Sequence, residues 1–96
     1  MYTISHIRDL VAALPFDLLS RIVRTNAQFD ILSDADQKMG WGNKVLESMQ
    51  DELCEQFRIL YCEALDLMPA AVQNEQPNAD GEFLMQGELE YNLRRL

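Results

Sequence analysis

Between residues 43 and 68, apolar side chains recur with the period of an α-helix. At about 100° per residue they fall on one arc of a helical wheel, about 160° wide, and acidic side chains fill most of the other side. Asn43 is a suitable N-cap, and Pro69 ends the segment because proline lacks a backbone donor. We therefore predict one amphipathic helix about 39 Å long. The apolar arc contains Leu46, Met49, Leu53, Phe57, Leu60, Ala64, Leu67 and Met68, widened by Cys54, Tyr61 and Leu65.

The arc is broader than the seam of a two-stranded coiled coil. A stripe of this width indicates a helix that packs against two neighbours at once. Val45 and Ile59 are apolar but fall outside the arc. We expect these two side chains to make no more than a secondary contact.

The first thirty residues predict two further helices. Residues 1–14 carry apolar side chains at helical spacing, with Thr3 or Ser5 as a cap. Pro15 breaks this helix and suits the first turn of the next one, because its fixed φ angle is already helical. We predict that the second helix runs from Pro15 to about Phe29.

The segment Ser33-Asp34-Ala35-Asp36 has the pattern of a new, capped helix start, with an acid three residues after the serine. It predicts one short turn before the loop Gly40-Trp41-Gly42. Two glycines around a tryptophan combine a permissive backbone with a very large apolar side chain.

The remaining residues divide into a linker and an ambiguous terminal segment. Residues 69–81 are poor in large apolar groups and predict a loop. Residues 82–96 fit either a half-buried strand, paired with residues 2–4 or with a second chain, or a helix. Residue propensity favours the helix, which we predict. Its apolar stripe would consist of Met85, Leu89, Leu93 and Leu96.

These elements predict an all-α fold in a single domain spanning residues 1–96. We expect a small bundle of three to four helices built around the helix at 43–68. Because that helix is long for a chain of 96 residues, we expect a second copy to complete the bundle as a homodimer.

The composition, 48% hydrophobic and 25% charged, is typical of a globular protein. No apolar run reaches the ~18 residues of a membrane span. Arg8 and Asp9 interrupt the N-terminal segment where a signal peptide would be apolar. We expect a cytoplasmic protein with no membrane partner.

The net charge of −8 is unevenly distributed. Residues 33–69 contain eight acidic and three basic side chains, whereas residues 1–32 contain three of each. Nucleic-acid binding depends on clustered Lys and Arg, so direct binding to nucleic acid is not expected. An acidic surface favours basic partners, including the DNA-binding channels of other proteins.

The residue types that carry catalysis or bind metals are scarce. His6 is the single histidine, and Cys54 and Cys62 would lie about 12 Å apart on one helix, too far for a mutual disulfide. We expect two half-buried thiols. No glycine-rich phosphate loop is present. The sequence predicts no enzyme, no cofactor and no metal site.

One pattern on the long helix has a possible function. Glu47, Asp51 and Glu55 recur every four residues, about 6 Å apart, with Glu52 beside them. A row of carboxylates could imitate a phosphate backbone and enter a basic groove, although a merely solvated helix face gives the same pattern. Trp41 is either a cap on the core or an apolar anchor for a partner.

We therefore expect a non-catalytic binding protein that inhibits or modulates a larger, basic, nucleic-acid-handling protein. Its contact residues would be Trp41, Glu47, Asp51, Glu52 and Glu55. Short acidic helical chains of this class include proteins carried by mobile elements such as phages. The alternative is a structural homodimer whose acidic face is only solvated.

Overall fold

The computed structural model describes residues 4–39 and 44–96, which form five helices and no strand. They are packed together, so the predicted small all-α bundle is confirmed. The helices are α1 (Ile4–Ala12), α2 (Phe16–Met39), α3 (Lys44–Asp66), α4 (Ala70–Gln73) and α5 (Leu84–Arg94).

The two longest helices, α2 with 24 residues and α3 with 23, form an antiparallel hairpin. Arg21 near the start of α2 donates to the carboxylate of Glu63 near the end of α3, at 2.7 Å. We call this end of the hairpin the base and the opposite end the tip. The long helix predicted at 43–68 is thus confirmed as α3, but Met49 and Leu67 of its apolar arc stay about half exposed.

The prediction for the second helix was wrong at its C-terminal end. Helix α2 passes through Phe29 and continues to Met39, so residues 33–36 lie inside it and do not start a new helix. Tertiary packing decides this, because Leu32 is buried in a small cluster with Leu46 and Leu53 of α3. The serine and acids of the cap-like pattern therefore lie on the surface of one continuous helix.

The main core lies at the base of the hairpin, where α1, α4 and α5 join α2 and α3. Helix α1 packs chiefly against α5, and α5 in turn contacts both helices of the hairpin. Among the described residues of the tip half, the buried cluster is the small one around Leu32. Buried side chains of the main core are Ile7, Val11, Leu14, Leu18, Ile22, Phe57, Leu60, Ala64, Met68, Val72, Leu89 and Leu93.

The segment 69–81, predicted as a loop, contains the single turn α4. Val72 in this turn is fully buried in the main core. The Gln73 side-chain amide donates to the carbonyl oxygens of Asp66 and Met68, at 2.9 and 2.8 Å. These bonds satisfy carbonyls at the end of α3 that have no partner within the helix. The linker is therefore fixed to the end of the long helix.

Helix α5 is capped at both ends by side chains from other elements. The Glu75 carboxylate accepts hydrogen bonds from the backbone N–H groups of Met85 and Gln86 in its first turn, at 2.8 and 3.0 Å. At the other end, the buried Asn26 side chain donates to the Leu93 carbonyl at 2.8 Å. Because an isolated helix of 11 residues is marginal in water, these contacts hold α5 in place.

Arg94 attaches the C-terminal end of α5 to the hairpin. Its guanidinium carbon lies 4.6 Å from the ring centroid of Phe29 and 5.0 Å from that of Phe57. A cation over two aromatic faces is attracted by both.

The segment 82–96 was predicted to be a helix and not a strand. The structure shows a helix there, α5.

Replacing Asn26 by alanine tests the cap on the C-terminal end of α5. The change removes the 2.8 Å bond to the Leu93 carbonyl, which then keeps the longer 3.3 Å bond from the Leu96 backbone N–H, so we expect the free energy of unfolding to fall by about 1–3 kcal/mol. Urea unfolding followed by circular dichroism measures it. Gln37→Ala, an exposed change on the same helix, is the control and should stay within about 0.5 kcal/mol of the parent. Equal effects of the two changes would contradict the role assigned to Asn26.

Candidate protein-binding surfaces

Three of the predicted contact residues form one acidic edge along α3. Glu47, Asp51 and Glu55 are all exposed, at least about 100° around the helix axis from the buried Leu46 and Leu53. We call these three carboxylates the acidic edge. They project from the outer side of the hairpin, away from α2.

The acidic edge is only slightly neutralised by neighbouring cations. An Arg58 nitrogen lies 3.8 Å from a Glu55 carboxylate oxygen, one turn along the helix. Both side chains are more than 60% exposed, and an exposed pair of this kind is worth less than about 1 kcal/mol. Glu47 lies in the first turn of α3, where the helix dipole favours a negative charge. Glu47 therefore also has a purely local role.

The other two predicted residues do not join the acidic edge. Glu52 faces a different side of α3 and lines a groove between the two hairpin helices. Trp41 lies outside the described residues, so its predicted role as anchor or cap stays a prediction. The structure thus separates a set of residues that the spacing in the sequence had grouped together.

The groove follows the contact between α2 and α3 from tip to base, on the side away from α5. We call it the hairpin groove. Its tip half is lined by Gln28, Ile31, Leu32, Met49, Glu52, Leu53 and Gln56. Its middle is lined by Arg21, Arg24, Thr25, Gln28, Gln56, Ile59 and Leu60. Its base is lined by Pro15, Asp17, Leu18, Arg21, Glu63, Asp66 and Leu67.

Large apolar side chains remain exposed along the hairpin groove. Ile31 is 67% exposed, Ile59 55% and Met49 46%. All three line the groove, Ile31 from α2 and Met49 and Ile59 from α3. One feature of the sequence indicated this face, since Ile59 is apolar and falls outside the main arc. It gave no signal for Ile31, because the helix was expected to end before it.

A second recess lies on the α5 side of the hairpin, around Tyr61. The Tyr61 hydroxyl donates to the Gln86 carbonyl oxygen at 3.5 Å. Burial raises the pKa of Tyr61 above its ordinary value of 10.0, and the negative charges of Glu90, Cys62 and Glu75 raise this pKa further. The recess is lined by Cys54, Phe57, Arg58, Tyr61, Glu90 and Arg94.

The remaining chemistry of the described residues is sparse. Both cysteines are exposed, so the expectation of half-buried thiols was wrong. His6 is exposed on α1. Within residues 4–39 and 44–96, no three His, Cys, Asp or Glu side chains are grouped as metal ligands. None of the described helices combines the length and apolar character needed to cross a bilayer.

Comparison of the chain with protein-family models, with curated proteins and with solved structures gave no significant match. The functional interpretation therefore depends on the surfaces of the molecule itself.

The raised pKa of Tyr61 predicts how stability depends on pH. The unfolded chain loses this proton from about pH 10, whereas the folded chain keeps it to higher pH. The contribution of Tyr61 to stability is therefore fully present below pH 10 and is lost as the pH rises through the folded-state pKa. Tyr61→Phe should make the free energy of unfolding fall less steeply above pH 10, as measured by urea unfolding at several pH values.

Tyr91→Phe is the matched control for this experiment, because it removes a hydroxyl from an exposed ring of α5. An unchanged pH dependence in the Tyr61 variant, or an equal change in the two variants, would contradict the assignment.

Proposed function

We propose that this chain is a non-catalytic, acidic binding protein that inhibits or modulates a larger, basic, nucleic-acid-handling protein in the cytoplasm. The observation that carries the proposal is the acidic edge. Its three exposed carboxylates lie on one helix, and among the described residues the one ion pair that includes any of them is the exposed Arg58–Glu55 pair at 3.8 Å.

The spacing of the acidic edge suits a surface that normally receives a nucleic-acid strand. Successive carboxylates at four-residue intervals advance about 6 Å along α3. Phosphates of one strand advance about 3.4 Å per nucleotide along the axis of a duplex. The edge thus offers a negative charge for roughly every second phosphate along the axis, on a fixed support.

The helix that presents the acidic edge is held firmly from behind. Leu53, Phe57 and Leu60 bury the opposite side of α3 in the two core clusters. A rigid surface loses little conformational freedom on binding, which favours affinity. Electrostatic attraction between an acidic edge and a basic channel also raises the rate of association and weakens with salt.

A charge-reversal variant tests the proposal directly. Glu47→Lys, Asp51→Lys and Glu55→Lys together reverse the acidic edge without touching the core. We expect this variant to keep the helical circular dichroism spectrum and to lose its partner. The measurement is capture from nuclease-treated lysate on the immobilised chain, at low and at moderate salt, with bound proteins identified by mass spectrometry.

A second variant separates position from net charge. Asp9→Lys, Asp80→Lys and Glu82→Lys change the charge by the same amount at exposed sites outside α3. We expect one basic protein to be retained by the parent and by this control, lost by the acidic-edge variant, and displaced by added DNA. Equal retention by the two variants would show that the acidic edge is not the contact.

A further inference from the structure

A recess between the first and last helices contains two of the eight basic side chains of this acidic molecule. It lies where α1 packs on α5, and its volume is about 570 Å³. This volume falls within the roughly 300–1,000 Å³ typical of small-molecule sites. We call it the α1–α5 recess. Its walls include Arg8, Val11 and Ala12 of α1, Glu88 and Tyr91 of α5, and Arg95 directly after α5.

Each wall of the α1–α5 recess is one face of a helical segment. The residues from α1 are spaced i, i+3 and i+4, and those from the last segment i, i+3 and i+7, so each set shares one face. Val11 is buried in the main core and contributes to the floor. The polar side chains are therefore presented from a packed apolar support.

The two helices run antiparallel, which places both arginines at the same end of the recess. Helix α1 ends three residues before α2 begins, so its C-terminal end is at the base. Helix α5 starts at the base, where Glu75 caps its first turn, and ends beside Asn26, further along α2. Arg8 and Arg95 therefore lie at the end of the recess that is far from the base. Glu88 lies about 10 Å nearer to the base along α5.

Neither arginine is neutralised by a carboxylate. Within residues 4–39 and 44–96, no ion pair includes Arg8 or Arg95. The Arg95 guanidinium carbon lies 5.1 Å from the ring centroid of Tyr91, and this guanidinium donates a hydrogen bond to the Tyr91 hydroxyl oxygen. Because that oxygen accepts this bond, the hydroxyl proton is directed to another acceptor. Two guanidiniums and one hydroxyl thus supply donors at the far end.

The opposite end of the recess carries an acceptor. Glu88 is partly buried, and one of its carboxylate oxygens accepts a hydrogen bond from the Asn92 side chain at 3.1 Å. The recess therefore has two positive charges at one end and one negative charge at the other, in a chain of net charge −8. At 0.1 M salt, exposed charges more than about 10 Å away are largely screened, so the nearest groups determine what binds.

We infer that the α1–α5 recess binds a small phosphate monoester. Its phosphate lies between Arg8 and Arg95, and a hydroxyl or amino group of the same molecule faces Glu88. Guanidinium groups bind phosphate oxygens through paired N–H donors. A phosphate monoester has three terminal oxygens, one for each guanidinium and one for the Tyr91 hydroxyl, whereas a carboxylate has only two.

The separation of the charged ends sets the size of the ligand. About 10 Å between the levels of Arg95 and Glu88 suits a phosphorylated sugar or nucleoside and exceeds the size of an inorganic ion. The recess shares no residue with the acidic edge, so this site is independent of the proposed partner contact.

NMR titration of the ¹⁵N-labelled full chain tests the site, with inorganic phosphate, ribose 5-phosphate and acetate as probes at constant ionic strength. We expect saturable shifts of the Arg8 and Arg95 Nε–H signals and of nearby backbone amides with both phosphates. Ribose 5-phosphate should bind more tightly than inorganic phosphate, because its hydroxyl groups reach towards Glu88. Acetate should give no saturable shift.

Paired variants separate the recess from a general effect of charge. Arg8→Gln with Arg95→Gln should abolish saturation by either phosphate. The control, Arg24→Gln with Arg58→Gln, makes the same charge change at exposed arginines that do not line the recess, and should bind as the parent does. Circular dichroism should be the same for all of these chains, because the four side chains are exposed.

Two single variants test the roles of the other polar groups. Tyr91→Phe removes one donor to the phosphate and should weaken its binding about tenfold. Glu88→Gln removes a negative charge from the recess, so it should tighten binding of inorganic phosphate and reduce the preference for ribose 5-phosphate.

Three results would overturn the inference. The first is a parent chain that shows no saturable shift with either phosphate. The second is an equal loss of binding in the two double variants, which would indicate attraction by net charge alone. The third is saturable binding of acetate at the same strength as phosphate, because the recess would then recognise a carboxylate and not a phosphate monoester.

Discussion

Two antiparallel helices bury only the strip of side chains along which they touch, and this limit shapes the whole molecule. After forming α2 and α3, the chain has α1, α4 and α5 left to cover what the hairpin exposes, and none of them exceeds 11 residues. They cover one side at the base. Among residues 4–39 and 44–96, no helix covers the opposite side, where Ile31 and Ile59 are more than half exposed, so the groove there results from how these residues are divided among the helices.

The covering helices are held by a few directed contacts in addition to apolar packing. Glu75 caps the start of α5, and Asn26 caps its end from a helix that is distant in sequence. Gln73 closes the end of α3 in the same way. Each of these side chains forms hydrogen bonds with backbone groups at or near a helix end, where partners within the helix are few. Polar residues of the linker and of α2 therefore determine where the terminal helix lies.

The elements that the sequence predicted well are those with strong periodicity. Leu53, Phe57 and Leu60 identified α3, and Pro69 identified its end, because these signals act within one helix. The failure at Ser33 has the opposite cause. The burial of Leu32 against Leu46 and Leu53 of α3 outweighs the local capping pattern. These residues are distant from Leu32 in sequence, so the local pattern does not reveal the contact. The burial of Val72 could not be predicted either, because it is a single large apolar residue in a mainly polar segment.

The two candidate surfaces differ in the same way: one depends on the residues of a single helix, and the other depends on how two helices pack. The acidic edge was predictable because its residues share one helix face. The hairpin groove was not, since it needs the register of two helices, and that register depends on contacts such as Arg21 with Glu63. Glu52 illustrates the difference, because it follows Asp51 in sequence but belongs to the other surface.

The packing of α1 on α5 has a consequence for how the chain folds. These helices come from the two ends of the sequence, so their contact closes a loop of nearly the entire chain. The hairpin needs only a short connection and has little loop entropy to overcome, whereas the ends must lose the freedom of about 70 intervening residues. The hairpin of α2 and α3 is therefore expected to form first. The main core is complete only when α1 and α5, the first and last helices, have packed on it.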